Sequence, residues 1–209
     1  MGGRITNVQV SIYKVPTDLP EADGTIRWSS TTMVLVELTA ESGHRGIGYS
    51  YATRAAATLI DDLLREIVIG TDPDDVRGLW QVMVAAVRNL GRPGIAATAI
   101  SAIDIALWDL KARMHDMSLL TLLGRRRGEV PIYGSGGFTS YTIRQLQEQL
   151  SGWARQGIPR VKMKVGLDWG TRPEVDVMRV RAAREAIGDG DLGHRHRALG
   201  PEGTHARHV

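Results

Sequence analysis

The residues of this 209-residue chain with the clearest chemical potential are Lys162 and Lys164, in the run Val161-Lys162-Met163-Lys164-Val165. Alternate side chains of a strand point to opposite faces, so this spelling puts both lysines on one face and the apolar residues on the other, with the lysines roughly 7 Å apart along the strand. Two ammonium groups that close repel one another. Enclosure in a sheet also strips them of water, and both effects favour a neutral amine, which can abstract a proton. The same spelling fits an edge strand with one wet face, where lysines discourage edge-to-edge pairing. Spacing alone leaves both readings open. Two carboxylates, Asp104 and Asp109, interrupt an otherwise apolar stretch; these are expected to be caps or ion pairs, with Lys111 and Arg113 as nearby partners.

The elements that must position the lysines follow from periodicity. Ile5 to Val15 and Thr31 to Leu38 read as β-rich runs bracketing a long polar loop, Thr17 to Ser30, that could act as a mobile flap. Glu41-Ser42-Gly43 turns into a third strand, Gly46 to Tyr51, which predicts a three-stranded meander. From Arg54 the period becomes helical and stops at Gly70. Asp72-Pro73 offers an N-cap with proline at the first helical position for a helix reaching Asn89. Ile95 to about Met114 is Ala-rich and apolar nearly all round, which predicts the buried centre of a helical bundle. After the basic connector Arg125 to Arg127, the chain alternates. Strand Val130 to Ser135, helix Ile143 to Gln156, strand Arg160 to Val165 and helix Glu174 to Ile187 have the βαβα order of a parallel sheet.

Composition narrows the classes. The chain is 43% hydrophobic and 23% charged, ordinary values for a chain that folds. It has no cysteine, which removes disulfides, thiolate zinc sites and cysteine nucleophiles. A formal net charge of +3 is too small to imply a nucleic-acid partner. The opening residues lack an apolar signal core, and the longest apolar stretch contains Asp104, so neither export nor a membrane span is expected and the cytoplasm is the expected location.

Taken in order, the meander, the flap loop, the Ala-rich bundle with Ala102-Ile103-Asp104-Ile105-Ala106-Leu107-Trp108-Asp109, then Leu122-Leu123-Gly124, Val130-Pro131-Ile132-Tyr133 and Lys162-Met163-Lys164 resemble the mandelate racemase and muconate lactonizing branch of the enolase superfamily. The resemblance covers about residues 4 to 188. It implies an α+β capping domain, the meander plus helical bundle, over residues 1–128, followed by an incomplete (β/α)8 barrel whose first two βα units occupy 129–188. It implies Lys164 as the general base that removes the proton α to a carboxylate. Lys162 would then favour the neutral amine at Lys164 and neutralise the substrate carboxylate, while Mg²⁺ stabilises the enediolate. The flap, with Trp28, would close over the substrate, and Tyr51 would lie beside it. The implied substrates are acid sugars or 2-hydroxy acids, and the implied reaction is that of a dehydratase (hydro-lyase) or, next, a racemase or cycloisomerase. Gly134-Ser135-Gly136-Gly137 fails the phosphate-loop pattern, since no Gly-Lys-Ser/Thr follows, and is expected to wall an active-site mouth with Ser135 near the substrate.

The resemblance stops where the barrel should continue. A complete barrel takes about 250 residues, and the family's acidic Mg²⁺ ligands come from its third, fourth and fifth strands. Residues 189–209 are expected to form a disordered tail with no strand from His194 onward, resembling an out-of-frame reading of GC-rich coding sequence. Its histidines, His194-x-His196 and His205-x-x-His208, spell a rival metal site. Without a cation cage the chain as written is expected to be inactive. An open parallel sheet edge also makes self-association an expectation.

Overall fold

The structure, a computed structural model, describes residues 3–188 and the backbone of residues 191–195. The described residues group into two compact units, one of 3–16 and 30–128, the other of 17–29 together with the described residues from 129 onward.

The first unit holds most of a three-stranded sheet in the order β1 (Ile5–Ala22), β2 (Arg27–Ala40), β3 (Arg45–Tyr51). β2 and β3 are antiparallel from Met33↔Tyr51 to Thr39↔Arg45. Period-2 alternation puts Val34, Val36, Leu38 and Ala40 in the core, the first three in register with Ser50, Gly48 and Gly46 on β3. Those two glycines exist for a helix. A Cβ at residue 48 would stand 2.1 Å from the Ala102 carbonyl oxygen, so only bare backbone lets α4 (Ile95–Met114) lie this close to the sheet. Its alanines and Ile100, Ile103, Leu107 and Leu110 are buried as the apolar spelling predicts. Around it pack α1 (Arg54–Leu59), a π-helical stretch (Ile60–Leu64), α2 (Arg65–Val68) and α3 (Val76–Ala86). Beyond α4, α5 (Leu119–Leu122) starts at Ser118, whose hydroxyl accepts from the Thr121 N–H.

Two local expectations change. The cap of α3 is Asp75, whose carboxylate accepts from the Gly78 N–H at 3.0 Å; Asp72 instead turns on itself, accepting from the Asp74 N–H at 2.9 Å. An aspartate satisfied two residues on makes a turn and leaves the cap to the next acceptor. Of the two carboxylates in α4, Asp109 does pair, with the Ile47 N–H and Arg113 Nε, each at 2.8 Å. Asp104 does not. No hydrogen bond or ion pair reaches it among the described residues, and Lys111 turns away to Asp74 at 3.5 Å.

In the second unit, β4 (Gly134–Ser135), α6 (Ile143–Arg155), β5 (Arg160–Lys164), a single turn α7 (Leu167–Gly170), α8 (Pro173–Ile187) and β6 (Asp191–Arg195) form a parallel sheet of order β4-β5-β6. Helix α6 opens on a capping box between Thr142 and Gln145. Leu146 and Leu150 of α6 and Ala183 of α8 cover Val161 and Met163 of β5.

Three corrections follow. The strand expected over 130–135 is regular only at Gly134–Ser135, the two residues that pair with Val161 and Lys162; Val130 to Tyr133 are exposed and lack a ladder partner among the described residues. The expected absence of a strand near His194 is overturned for the backbone of Asp191–Arg195, which pairs in parallel from Arg160↔Asp191 to Lys164↔Arg195. An unfilled ladder on β5 templates that strand despite its weak β propensity. The rest of the predicted tail, including His196, His205 and His208, lies outside the described residues. Third, the Thr17–Ser30 loop is no irregular loop: β1 runs on to Ala22, β2 starts at Arg27, and a tight turn joins them, its Asp23 carboxylate accepting from the Thr25 and Ile26 N–H groups at 2.7 and 3.0 Å.

Candidate active site

β5 is the middle strand, so its side chains sit at the centre of the second unit's sheet. Val161 and Met163 are buried on one face; Lys162 and Lys164 share the other, half-buried. The hydrogen-bond ladder binds β4 and the loop after it to β5: the Gly136 N–H donates to the Lys162 carbonyl and the Lys164 N–H to the Gly137 carbonyl, each at 3.0 Å. Ser135 is in register with Lys162, so its side chain shares the lysine face. Tyr133, two residues earlier, joins them. Its hydroxyl lies 3.5 Å from Lys162 Nζ, and the ammonium stands 5.0 Å from the ring centroid, within cation–π range. Sequence reasoning missed Tyr133, although the alternation Tyr133-Gly134-Ser135 carries the signal.

The glycine run has a packing cause. A Cβ at Gly134 would meet the Trp153 ring at 2.3 Å, and one at Gly136 would meet Gln149 Oε1 at the same distance, so these glycines let α6 press against the strand and cradle nothing.

The flap tip is seated at the end of β5. Gly24 packs against Val165 and Gly166, and its carbonyl accepts from the Trp169 N–H at 2.8 Å. The loop after β4 holds the other side: the Thr139 N–H donates to Ala22 O at 2.9 Å, its hydroxyl to Asp23 O at 2.6 Å, and the Ser140 hydroxyl to Pro20 O at 2.6 Å. Burial pushes the Asp23 carboxyl upward, but hydrogen bonds from Ile26 and Thr25 and the positive charge of Lys164 outweigh it and hold the group below the usual carboxylate range. Trp28 is engaged within the flap: its indole N–H donates to Glu21 at 2.7 Å, and its ring meets Phe138 edge-on with centroids 5.7 Å apart. Tyr51 ends β3 in the first unit, 72% exposed and opposite Met33. The structure thus gathers Lys162, Lys164 and Ser135, with Tyr133 added, and puts Trp28 in the flap of the same unit.

Among the described residues no three histidine, aspartate or glutamate side chains converge as metal ligands, so these residues do not by themselves fit a divalent cation. No described helix is long and apolar enough to cross a membrane.

Comparison with known proteins identifies the family. The N-terminal domain profile of the mandelate racemase / muconate lactonizing enzyme family matches residues 7–124. The L-talarate/galactarate dehydratase of Salmonella typhimurium is 34% identical over 200 residues, which is 90% of this chain and 49% of that protein; a structure of that enzyme, liganded with Mg and L-lyxarohydroxamate, superposes with a TM-score of 0.80 at 30% identity, over 92% of this chain and 51% of that one. The 3,6-anhydro-alpha-L-galactonate cycloisomerase of Streptomyces coelicolor is 34% identical over 192 residues, 88% of this chain and 52% of that protein. A mandelate racemase/muconate lactonizing enzyme-like protein from Rubrobacter xylanophilus superposes with a TM-score of 0.87 at 52% identity, over 91% of this chain and 52% of that one. The chain spans about half the length of the relatives it matches, and relatives of known structure hold magnesium. With the family profile matching more than half its residues and its βα units following in order, the chain belongs to the mandelate racemase / muconate lactonizing enzyme branch of the enolase superfamily, as a capping domain followed by an incomplete barrel.

Proposed function

We propose that this chain carries the proton-abstracting part of an acid-sugar dehydratase site, with Lys164 as the base. The observation that carries the reading is the placement of Lys162 and Lys164 side by side on the open face of the central strand, with Ser135 and Tyr133 beside them. In its amine form, Lys164 Nζ takes the proton α to a sugar-acid carboxylate. Lys162, steadied by the Tyr133 ring and hydroxyl, offers its ammonium to the carboxylate oxygens, and Ser135 adds a hydroxyl on the same face. Expulsion of the neighbouring hydroxyl, protonated to water by the ammonium formed on Lys164, then completes a dehydration. Two supports favour this class: the relatives named above include an acid-sugar dehydratase, and a cycloisomerase acting on a sugar acid. The flap tip, seated where β5 ends, would cover the reacting centre and exclude water.

The 209-residue polypeptide by itself is proposed to lack turnover. Removing the proton leaves a dianionic enediolate, and one ammonium is weak compensation where preorganised positive charge normally supplies several kcal/mol. A bound magnesium, which relatives of known structure hold, would supply that charge.

The test has two parts. Purified polypeptide, assayed with Mg²⁺ and a panel including galactarate, L-talarate and L-glucarate, is expected to show no dehydration; Lys164-dependent turnover would overturn the inactivity. Joined to the second half of the Rubrobacter xylanophilus relative's barrel, residues 1–188 are expected to support dehydration of an acid sugar. Lys164→Ala in that chimera is expected to cost about 10²–10⁴-fold in kcat, the range for a general base. Unchanged turnover in Lys164→Ala would remove Lys164 from the reaction.

A further inference from the structure

Arg179 sits on α8, 3% exposed, in a helix whose other arginines, Arg181 and Arg184, are exposed. Burying a guanidinium is costly unless its donors are used. Its Nη1 donates to the Tyr141 carbonyl at 2.7 Å, and its Nη2 to the Phe138 carbonyl at 2.7 Å and the Gly137 carbonyl at 3.3 Å. Those carbonyls belong to the loop that follows β4, and two features of that loop matter. The Gly137 carbonyl also accepts from the Lys164 N–H, so one oxygen is shared between Arg179 and the backbone of the proposed base. Two residues on, Thr139 and Ser140 hold the flap through the carbonyls of Ala22, Asp23 and Pro20. Phe138, whose carbonyl Arg179 grips, presents its ring to Trp28 of the flap.

One turn earlier on the same helix, Asp176 Oδ2 accepts from the Gly166 N–H at 2.7 Å and the Leu167 N–H at 3.3 Å, fixing the loop after β5 on which Gly24 rests. The two residues therefore brace the two loops at the ends of β4 and β5 from behind. Burial draws the Arg179 guanidinium below its ordinary pKa, and the Asp176 charge opposes that draw.

We infer that Arg179 is a positioning residue that anchors both the seat of the flap and the placement of Lys164, through the shared 137–141 loop. A planar fork with several donors is required, because three carbonyls diverging over five residues cannot be held by the point charge of a lysine. The functional weight of this anchoring rests on the reading of Lys164 as the base; the anchoring itself does not.

The experiment separates the two. The lysines of the chain are Lys14, Lys111, Lys162 and Lys164, so ¹⁵N-lysine labelling gives a sparse amide spectrum in which Lys164 can be followed. Hydrogen exchange by mass spectrometry then reads the flap, residues 17–29, against residues 95–114 of α4 as a folding control. In Arg179→Met, the Lys164 amide signal is expected to shift and its exchange, together with that of the flap, to accelerate roughly tenfold, the factor for one hydrogen bond to a charged group. Arg179→Lys is expected to fall between Arg179→Met and the unaltered chain, and carries the test if Arg179→Met does not fold. Thr139→Val, which removes the hydroxyl bond to the Asp23 carbonyl and leaves Arg179 untouched, is expected to loosen the flap and leave the Lys164 signal in place. An unmoved Lys164 amide in both Arg179 variants, or a Thr139→Val variant that moves it equally, overturns the anchoring by Arg179. Neither outcome bears on whether Lys164 abstracts a proton, which the chimera reads.

Discussion

Gly24→Ala tests how the flap tip is seated. A Cβ on residue 24 would lie 2.5 Å from the Gly166 carbonyl oxygen, 3.1 Å from its carbon and 3.2 Å from the Val165 carbonyl oxygen. All three are backbone atoms, and Asp176 holds the Gly166 N–H at 2.7 Å, so the neighbour cannot yield cheaply. Restoring ordinary contact requires the tip to lift by about 1 Å. That lift stretches the 2.8 Å bond from Trp169 N–H to Gly24 O past hydrogen-bonding range. Overpacking of this kind costs about 1–3 kcal/mol, including roughly 0.5–1.5 for the broken bond. At about 2 kcal/mol the open flap becomes roughly thirtyfold more populated. Brief digestion with trypsin under native conditions reads this directly. Arg27 is exposed in the flap, and when opening is fast relative to cleavage the cutting rate follows the open population. Cleavage after Arg113, in α4, reports the first unit. Cleavage after Arg27 is expected to accelerate roughly thirtyfold in Gly24→Ala with no change after Arg113. Equal rates at Arg27 in both proteins would refute the seating, and equal acceleration at both sites would mean that the substitution loosens the whole chain.

Two further outcomes concern the first unit. Leu107, fully buried in α4, belongs to the main core, and Leu107→Ala is expected to lower stability by about 2–5 kcal/mol in urea unfolding; a loss below about 1 kcal/mol would show that the core closes over the gap. Burial raises the Asp104 carboxyl above its ordinary range, and no described partner offsets it. Because the folded state binds this proton more tightly than the unfolded one, its contribution is present at low pH and lost as the pH rises through the raised value. Asp104→Asn is therefore expected to raise the melting temperature at pH 7, with the gain vanishing near pH 3; a variant less stable at pH 7 would reveal a partner that the carboxylate needs.

Much of the candidate site is legible in the spelling. Lysines at alternate positions between Val161, Met163 and Val165 can only share a strand face, and the structure keeps them there because the opposite face has α6 and α8 to bury it. The Ala-rich run of α4 likewise announces a helix that others must surround. What escapes is whatever depends on partners far along the chain. Trp28 reads as a lone aromatic in a loop, yet it packs on Phe138, and the loop itself becomes a ribbon because Asp23 closes a turn whose tip is anchored to Thr139 and Trp169. The strand expected over Val130–Ser135 shortens to Gly134 and Ser135, the two residues that pair with Val161 and Lys162 of β5.

Local periodicity, the lysine alternation and the order of motifs were set by the sequence alone, since each depends on neighbours within a few residues. Arg179 marks the other side of that division. On a helix, an arginine ordinarily faces water, and nothing within α8 says otherwise; three carbonyls 38 to 42 residues upstream pull it inward. The strand at Asp191–Arg195 was decided the same way, its few apolar residues conferring little β preference while the unpaired backbone edge of β5 supplies the ladder. In both cases free energy resides in hydrogen bonds between groups that only the folded chain brings together.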